Sequence, residues 1–285
     1  MDTNQLIKTI NTELQRQADP SYRELVRTRY NMRVDNFWGV RTPTIHQIAG
    51  KHYKEIKGFS LDQRLEVCQQ LLTTGIYEHK IMAFRWANLS RKDYSEKHLE
   101  VFAHWLDTYV DDWIDCDDLC IHVIGEFFVK YPERADEVLR WAGSANEWTR
   151  RGAAVSLILP ARKGQQLALV FDVAELLLED DKVLVRKGYG WLLMESSKTY
   201  PQEVFDYVMI KRETMPRESR GMLSRSCQSN CVVRRWSKDR DLRQNRPPNI
   251  GGPIFPLLAK YIPSFDESFE NFAADLKKEA VSIHN

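Results

Sequence analysis

The sequence predicts an all-α chain of stacked antiparallel helix pairs, and three observations predict it. Apolar residues recur at three- and four-residue steps almost throughout, while alternating apolar/polar runs of strand length are nearly absent. Helix-opening signals recur at a fixed interval, with starts near Thr42, Tyr77, Asp112, Glu147 and Lys182, each 35 residues after the last. Glycine is scarce, 13 in 285 residues, below the usual ~7 %, which disfavours turn-rich β folds and glycine-loop nucleotide folds.

Residues 1–35 read as a helical pair that caps the start, its first helix amphipathic over MDTNQLIKTINTELQRQ. Thr42-Pro43 opens the next helix, with an N-cap and a proline in the first turn. Leu61, Leu65, Cys68, Leu71 and Leu72 form one apolar stripe, and Leu167, Val170, Phe171, Ala174, Leu177 and Leu178 form another. Tyr131-Pro132, Tyr200-Pro201 and Met215-Pro216 break or restart helices. Each 35-residue interval fits two helices and two short turns, the signature of an α-solenoid. The TPR consensus is not visible, so the fold is described as a curved HEAT-like helical-repeat solenoid. Such a stack offers an extended concave surface to a long partner. The division expected is a repeat domain over 1–226 and a C-terminal extension over 227–285. That extension holds a basic segment, a linker at QNRPPNIGGP (244–253), the apolar stretch IFPLLAKYI and an acidic amphipathic helix.

Net charge is only +1, but it is segregated. Residues 96–140 carry 12 acidic and 4 basic side chains; residues 211–246 carry 11 basic and 4 acidic ones. Segregation of this kind permits an anionic partner on one face without requiring one, since charged stretches are commonly solvated surface. No apolar run approaches the ~18 residues of a membrane span, and the N-terminus lacks a signal-peptide core. Five cysteines (Cys68, Cys116, Cys120, Cys227, Cys231), an odd number at low density, point to reduced thiols in a cytoplasmic protein. Cys116/Cys120 and Cys227/Cys231 are Cys-x-x-x-Cys pairs, not the Cys-x-x-Cys of zinc knuckles, and His46, His52, His79, His104 and His122 are scattered. No metal is expected.

Three successive repeats carry a tryptophan with charged neighbours at matching early positions. Trp113 and Asp117 are four apart on one helix face; Trp148 is followed by Arg150 and Arg151; Arg186 and Lys187 precede Trp191. Equivalent positions fall side by side in a stack, which predicts a cluster of rings, carboxylate and guanidinium. Tryptophan at helical spacing is ordinarily core, and Trp86, Trp105, Trp141 and Trp148 are assigned there. Asp117 alone could equally be a buried carboxylate bonded to a neighbouring helix.

These residues resemble the bacterial DNA alkylation-repair glycosylases built on HEAT-like repeats, the AlkD type, over about residues 22–224. FWGVRTP (Phe37 to Pro43) is similar to the family's N-terminal motif; WIDCD matches its Trp-x-x-x-Asp at Trp113 and Asp117. WTRR matches its Trp-x-x-Arg at Trp148 and Arg151, and RKGYGWLL its Lys-x-x-Gly-Trp at Lys187, Gly190 and Trp191. Four motifs in order are specific where one alone would be weak. The resemblance implies hydrolytic excision of purines alkylated on N3 or N7 from duplex DNA, with the base left stacked rather than flipped out. It implies Asp117 as the catalytic carboxylate, Trp113 and Trp191 flanking the sugar, and Arg151 holding the backbone beside it. It implies DNA contacts by Arg41 and Thr42; Arg150, Arg186 and Lys187 lie on the same expected face. No cofactor, no membrane and no obligate protein partner is expected, and the protein is expected to be a monomer.

The chemistry fits those residue types. A ring-alkylated purine is cationic and leaves readily, and positive charge then moves onto the sugar. A carboxylate beside that sugar stabilises the charge and orients water, and each indole face adds about 0.5–2 kcal/mol of cation–π attraction. The chain departs from the family at Met194, where arginine is common, and in its long tail. Arg217, Arg220 and Arg225 continue the basic face. The run Arg234, Arg235, Lys238, Arg240, Arg243 and Arg246 reads equally as a DNA-wrapping arm and as solvated chain. The alternative reading is a non-catalytic solenoid that binds DNA or protein, and a protein–protein adaptor is a third.

Overall fold

The computed structural model describes residues 3–30 and 35–223, and every regular element among them is helical. Helices α1 (Thr3–Arg16) and α2 (Pro20–Tyr30) open the chain, but not as the expected packed pair: α1 lies on α3, while Tyr22 and Val26 of α2 form a separate small cluster with Phe37. They are followed by α3 (Thr42–Ile56), α4 (Leu61–Leu72), α5 (Tyr77–Leu89), α6 (Leu99–Thr108), α7 (Trp113–Leu119) and α8 (Gly125–Lys130). The chain continues through α9 (Glu137–Ala142), α10 (Glu147–Val155), α11 (Ile158–Arg162), α12 (Leu167–Leu176), α13 (Val183–Ser196), α14 (Pro201–Lys211) and α15 (Arg217–Leu223). Helices α3, α5, α7, α10, α13 and α15 each pack on the next and form one row. Their first residues, 42, 77, 113, 147, 183 and 217, are 34 to 36 apart, so the chain is a helical-repeat solenoid.

Local chemistry sets these starts. Asp112 and Asn146 are N-caps whose side chains accept the Ile114 and Trp148 backbone N–H, each at 2.9 Å. Ser60 and Gln63 close a reciprocal capping box at α4. Pro201 opens α14, and Pro216 immediately precedes α15.

The rungs are tied by polar groups roughly one repeat apart. Trp86 donates to the Ala49 carbonyl at 2.8 Å, Lys80 to Asp115 at 2.7 Å, and Ser219 to the Arg186 carbonyl at 3.0 Å. Between them runs an apolar core containing Trp86, Phe102, Trp105, Phe127, Phe128 and Trp141, none more than 2 % exposed. Rings 102, 127, 128 and 141 follow one another at centroid separations of 5.9–6.1 Å, within the range of favourable aromatic contact.

Two details differ from expectation. Trp148 is half-buried at the edge of the core rather than within it. In α12 the buried stripe includes Leu169 and Val173, while Phe171 sits half-buried and stacks on Tyr207 at 4.8 Å. The apolar run there is broad enough to support either face, and the neighbouring helices select one. Arg225, Cys227, Cys231, the basic run from Arg234, the linker at 244–253 and the final helix lie outside the described residues. So does the proposed domain boundary at 226.

Candidate active site

Helix α7 carries the candidate carboxylate, and its continuation is irregular. Cys120–Ile124 forms a π turn closed by the Gly125 N–H on the Cys120 carbonyl, after which α8 resumes. Such wide turns disturb the carbonyl ladder; here the Asn88 amide, from α5, donates to the His122 carbonyl at 2.5 Å. The π turn therefore follows directly on the segment Trp113–Leu119.

Asp117 and Arg151 meet, as the matching positions predict. The Arg151 Nε donates to Oδ1 and its Nη2 to Oδ2, both at 2.9 Å. This is a two-pronged pair of the kind guanidinium geometry favours. A third donor, Nη1, reaches the Leu184 carbonyl of α13 at 2.5 Å, so one side chain joins α7, α10 and α13. Asp117 is 3 % and Arg151 5 % exposed. Burial pushes the Asp117 carboxyl above its ordinary value, against the pull of Arg151. Trp113, one turn before, is half-buried.

Trp191 corrects the expected open cluster. It is 3 % exposed, and its indole N–H donates to Glu195 at 3.3 Å. Glu195 in turn accepts from Arg162 and Lys198, each at 2.8 Å. Residues 188–196 of α13 are all buried, because α10, α11, α12 and α15 all pack on this helix. A Cβ at Gly190 would stand 2.9 Å from the Ser219 Cα, which is why the Gly-Trp step needs glycine.

The expected phosphate contacts are mostly engaged within the protein. Arg150 pairs with Asp180 at 2.6 Å and Asp181 at 3.4 Å. Arg186 donates to the Asp180 carbonyl at 2.6 Å and to Glu218 at 3.3 Å. Arg41 lies 4.4 Å over the Tyr22 ring and 3.3 Å from Asp19, with its side chain 46 % exposed. Thr42 is buried at the start of α3, and Lys187 is half-buried. Arg217 is exposed, and Arg220 donates at 3.5 Å to the Arg212 carbonyl.

The Phe37–Val40 segment is held by a residue the sequence did not single out. Glu78, fully buried, accepts the backbone N–H of Trp38, Gly39 and Val40, each at 3.0 Å. Gly39 has φ +91, and a Cβ there would stand 2.3 Å from the Asp19 carbonyl oxygen. Glu78 sits in an ordinary first helical turn, which favours acids for any helix, so nothing in the sequence marked it.

Two more acids on α7 differ sharply from one another. Asp115 is 2 % exposed and tied to Lys80, which also bonds Asp111 at 2.5 Å. Asp118 is half-buried and faces Arg85 of α5. Burial pushes both carboxyls up to about 7, with Lys80 and Arg85 respectively opposing. The Cys116 and Cys120 sulfurs lie 4.0 Å apart, and the Cys116 thiol donates to the Trp148 carbonyl at 3.5 Å. No group of three or more His, Cys, Asp or Glu suited to a metal ion occurs among the described residues. No helix there is long and apolar enough to cross a membrane.

A family model described as "DNA alkylation repair enzyme" matches residues 10–222. A solved structure described as a predicted DNA alkylation repair enzyme from Enterococcus faecalis superposes with a TM-score of 0.63 at 16 % identity. That superposition covers 75 % of this chain and 98 % of the other, and identity this low speaks for the fold alone. No curated protein matches in sequence.

Proposed function

Since the chain belongs to the DNA alkylation repair enzyme family, whose role is the repair of alkylated DNA, we propose that it is a DNA glycosylase. It releases N3- and N7-alkylated, cationic purines from duplex DNA by hydrolysing the N-glycosidic bond. The observation that carries this reading is the Asp117–Arg151 pair at 2.9 Å, with Trp113 one turn before it. A carboxylate whose two oxygens are both held by one guanidinium is preorganised to stabilise positive charge on a sugar without reorganising. Trp113 offers an indole face to that charge. Trp191, held by Glu195, joins it only if duplex binding uncovers α13. Arg41, Arg150, Arg186 and Lys187 meet phosphates by exchanging their internal partners, and Thr42 meets them at the head of α3. The chemistry calls on no cofactor, and the protein acts in the cytoplasm as a monomer on the nucleoid.

A second reading has its own support. The burial of Trp191 and the engagement of both Asp117 oxygens suit a non-catalytic solenoid that binds DNA or protein. Release of N7-methylguanine from a methylated duplex, measured for wild type and Asp117→Asn, separates the two. The glycosylase reading expects release by the wild type and a loss of 100-fold or more in the variant, the scale on which a preorganised electrostatic group acts. No release by the wild type, together with salt-sensitive binding of the same duplex, overturns it in favour of the binding protein.

A further inference from the structure

Helix α5 stands within the row and has neighbours on three sides. It packs on α4, its partner in the repeat, on α3 to one flank, and on α7 and the π turn to the other. Of its 13 residues, Arg85 alone is exposed. Among the described residues its guanidinium makes no hydrogen bond and no ion pair. Four cations on the same row are engaged by acids: Lys80 by Asp111 and Asp115, Arg151 by Asp117, Arg150 by Asp180 and Asp181, and Arg186 by Glu218.

Two cross-links between α5 and α7 fix the level at which Arg85 stands. Lys80 donates to Asp115 at 2.7 Å, and the Asn88 amide to the His122 carbonyl at 2.5 Å. The partners are 35 and 34 residues apart, so Arg85 lies opposite residues 119–120, within one helical turn of Asp117. Successive residues step about 100° round a helix. On α7 the Asp117 side chain therefore falls between those of Trp113 and Asp118, both half-buried. Asp117 turns to Arg151 on the α10 flank, and Asp118 faces Arg85 on the α5 flank. From α10 to α5 the row reads guanidinium, carboxylate, carboxylate, guanidinium, and the last of these is bonded to neither acid.

On the duplex-repair reading given above, we propose that Arg85 binds a backbone phosphate of the strand whose sugar lies at Asp117. A guanidinium offers a phosphate two parallel N–H donors, and this one has no acid to release first. Neighbouring helices of a packed row stand about 8–10 Å apart, and one strand of a duplex carries a phosphate about every 3.4 Å of axis. A strand that follows the row therefore brings to Arg85 the phosphate about two or three nucleotides from the sugar at Asp117. The contact anchors the strand on the α5 side of that sugar, opposite to Arg150 of α10 and Arg186 of α13.

The test is equilibrium binding of full-length protein to a labelled duplex between about 50 and 200 mM salt. The duplex carries a tetrahydrofuran abasic-site analogue, which has no base to release. Arg85→Gln is expected to bind more weakly and to flatten the slope of log K against log salt by about 0.9, the value of one phosphate contact. Its deficit then shrinks about threefold across that range. Arg85→Lys keeps the slope, because it keeps the charge. Lys163→Gln, which removes an exposed cation just after α11 and outside the row, leaves the slope as it is. A neutral methylphosphonate two or three nucleotides from the abasic sugar weakens binding by the wild type and adds nothing to the deficit of Arg85→Gln. A wild-type slope in Arg85→Gln, or methylphosphonate losses that add in full to that of the variant at every position, overturns the contact. A wild type without salt-sensitive binding overturns instead the duplex reading on which the contact rests.

Discussion

Arg151 carries more of the site's order than any other side chain, because its donors reach Asp117 and the Leu184 carbonyl at once. Removing one member of a buried pair leaves the other charged and unmatched, at a cost of about 3–5 kcal/mol. Arg151→Met should therefore lower the urea-unfolding free energy by that amount. The double variant Asp117→Asn/Arg151→Met should recover part of the loss, since it removes both charges; additive losses in that cycle would show that the pair is not coupled. The pairing was legible in the sequence because the two residues occupy matching positions 34 apart in a 35-residue register. The enclosure of Trp191 was not, because it depends on four helices, α10, α11, α12 and α15, that meet around α13 only in the fold. No local pattern around Trp191 carries that information. Glu195 was hidden for a related reason, its role being set by Arg162, 33 residues earlier on another helix.

The loop before α3 behaves as a fixed element rather than a connector. Three consecutive amides converge on Glu78, and Gly39 lies against the Asp19 carbonyl. Gly39→Ala is expected to cost roughly 2 kcal/mol or more, since it adds a backbone clash to a disfavoured dihedral. Glu78→Ala, which strands three buried donors, should cost at least as much. Thermal melts of both variants check this, and a wild-type midpoint for either would remove the knot from the account. Helix starts were readable to within a residue at α7, α10 and α13 because Asp112 and Asn146 are true side-chain caps and Lys182 stands just outside its helix. The π turn at Cys120–Ile124 was not readable. Its residues satisfy ordinary helical periodicity, and Asn88, from another rung, supplies the compensating bond.

At the scale of the whole molecule, acids of opposite character set the response to pH. Asp115 and Asp118 have folded values near 7, above the ~3.9 of an unfolded chain. The folded state therefore holds more protons than the unfolded one between about pH 4 and 7, and their contribution to stability falls as pH rises through that window. Glu13, Asp180 and Glu195 are held below their ordinary values by their cationic partners. Their contribution is present above the unfolded carboxylate range and is lost as the medium is acidified through it. Asp118→Asn removes one member of the first group only. Its stability relative to wild type should climb between about pH 4 and 7 and then level off, by about 1–2 kcal/mol after solvent screening. A difference that does not vary with pH would contradict the placement of Asp118. The solenoid as a whole was legible from its repeat, since helix propensity, caps and interval agree at every level. One consequence follows from the α13–α15 seam. With Gly190 seated against Ser219, α13 is an interior rung, so clipping the chain upstream of Arg217 would bare the strip of that helix on which α15 lies and expose a sticky flank.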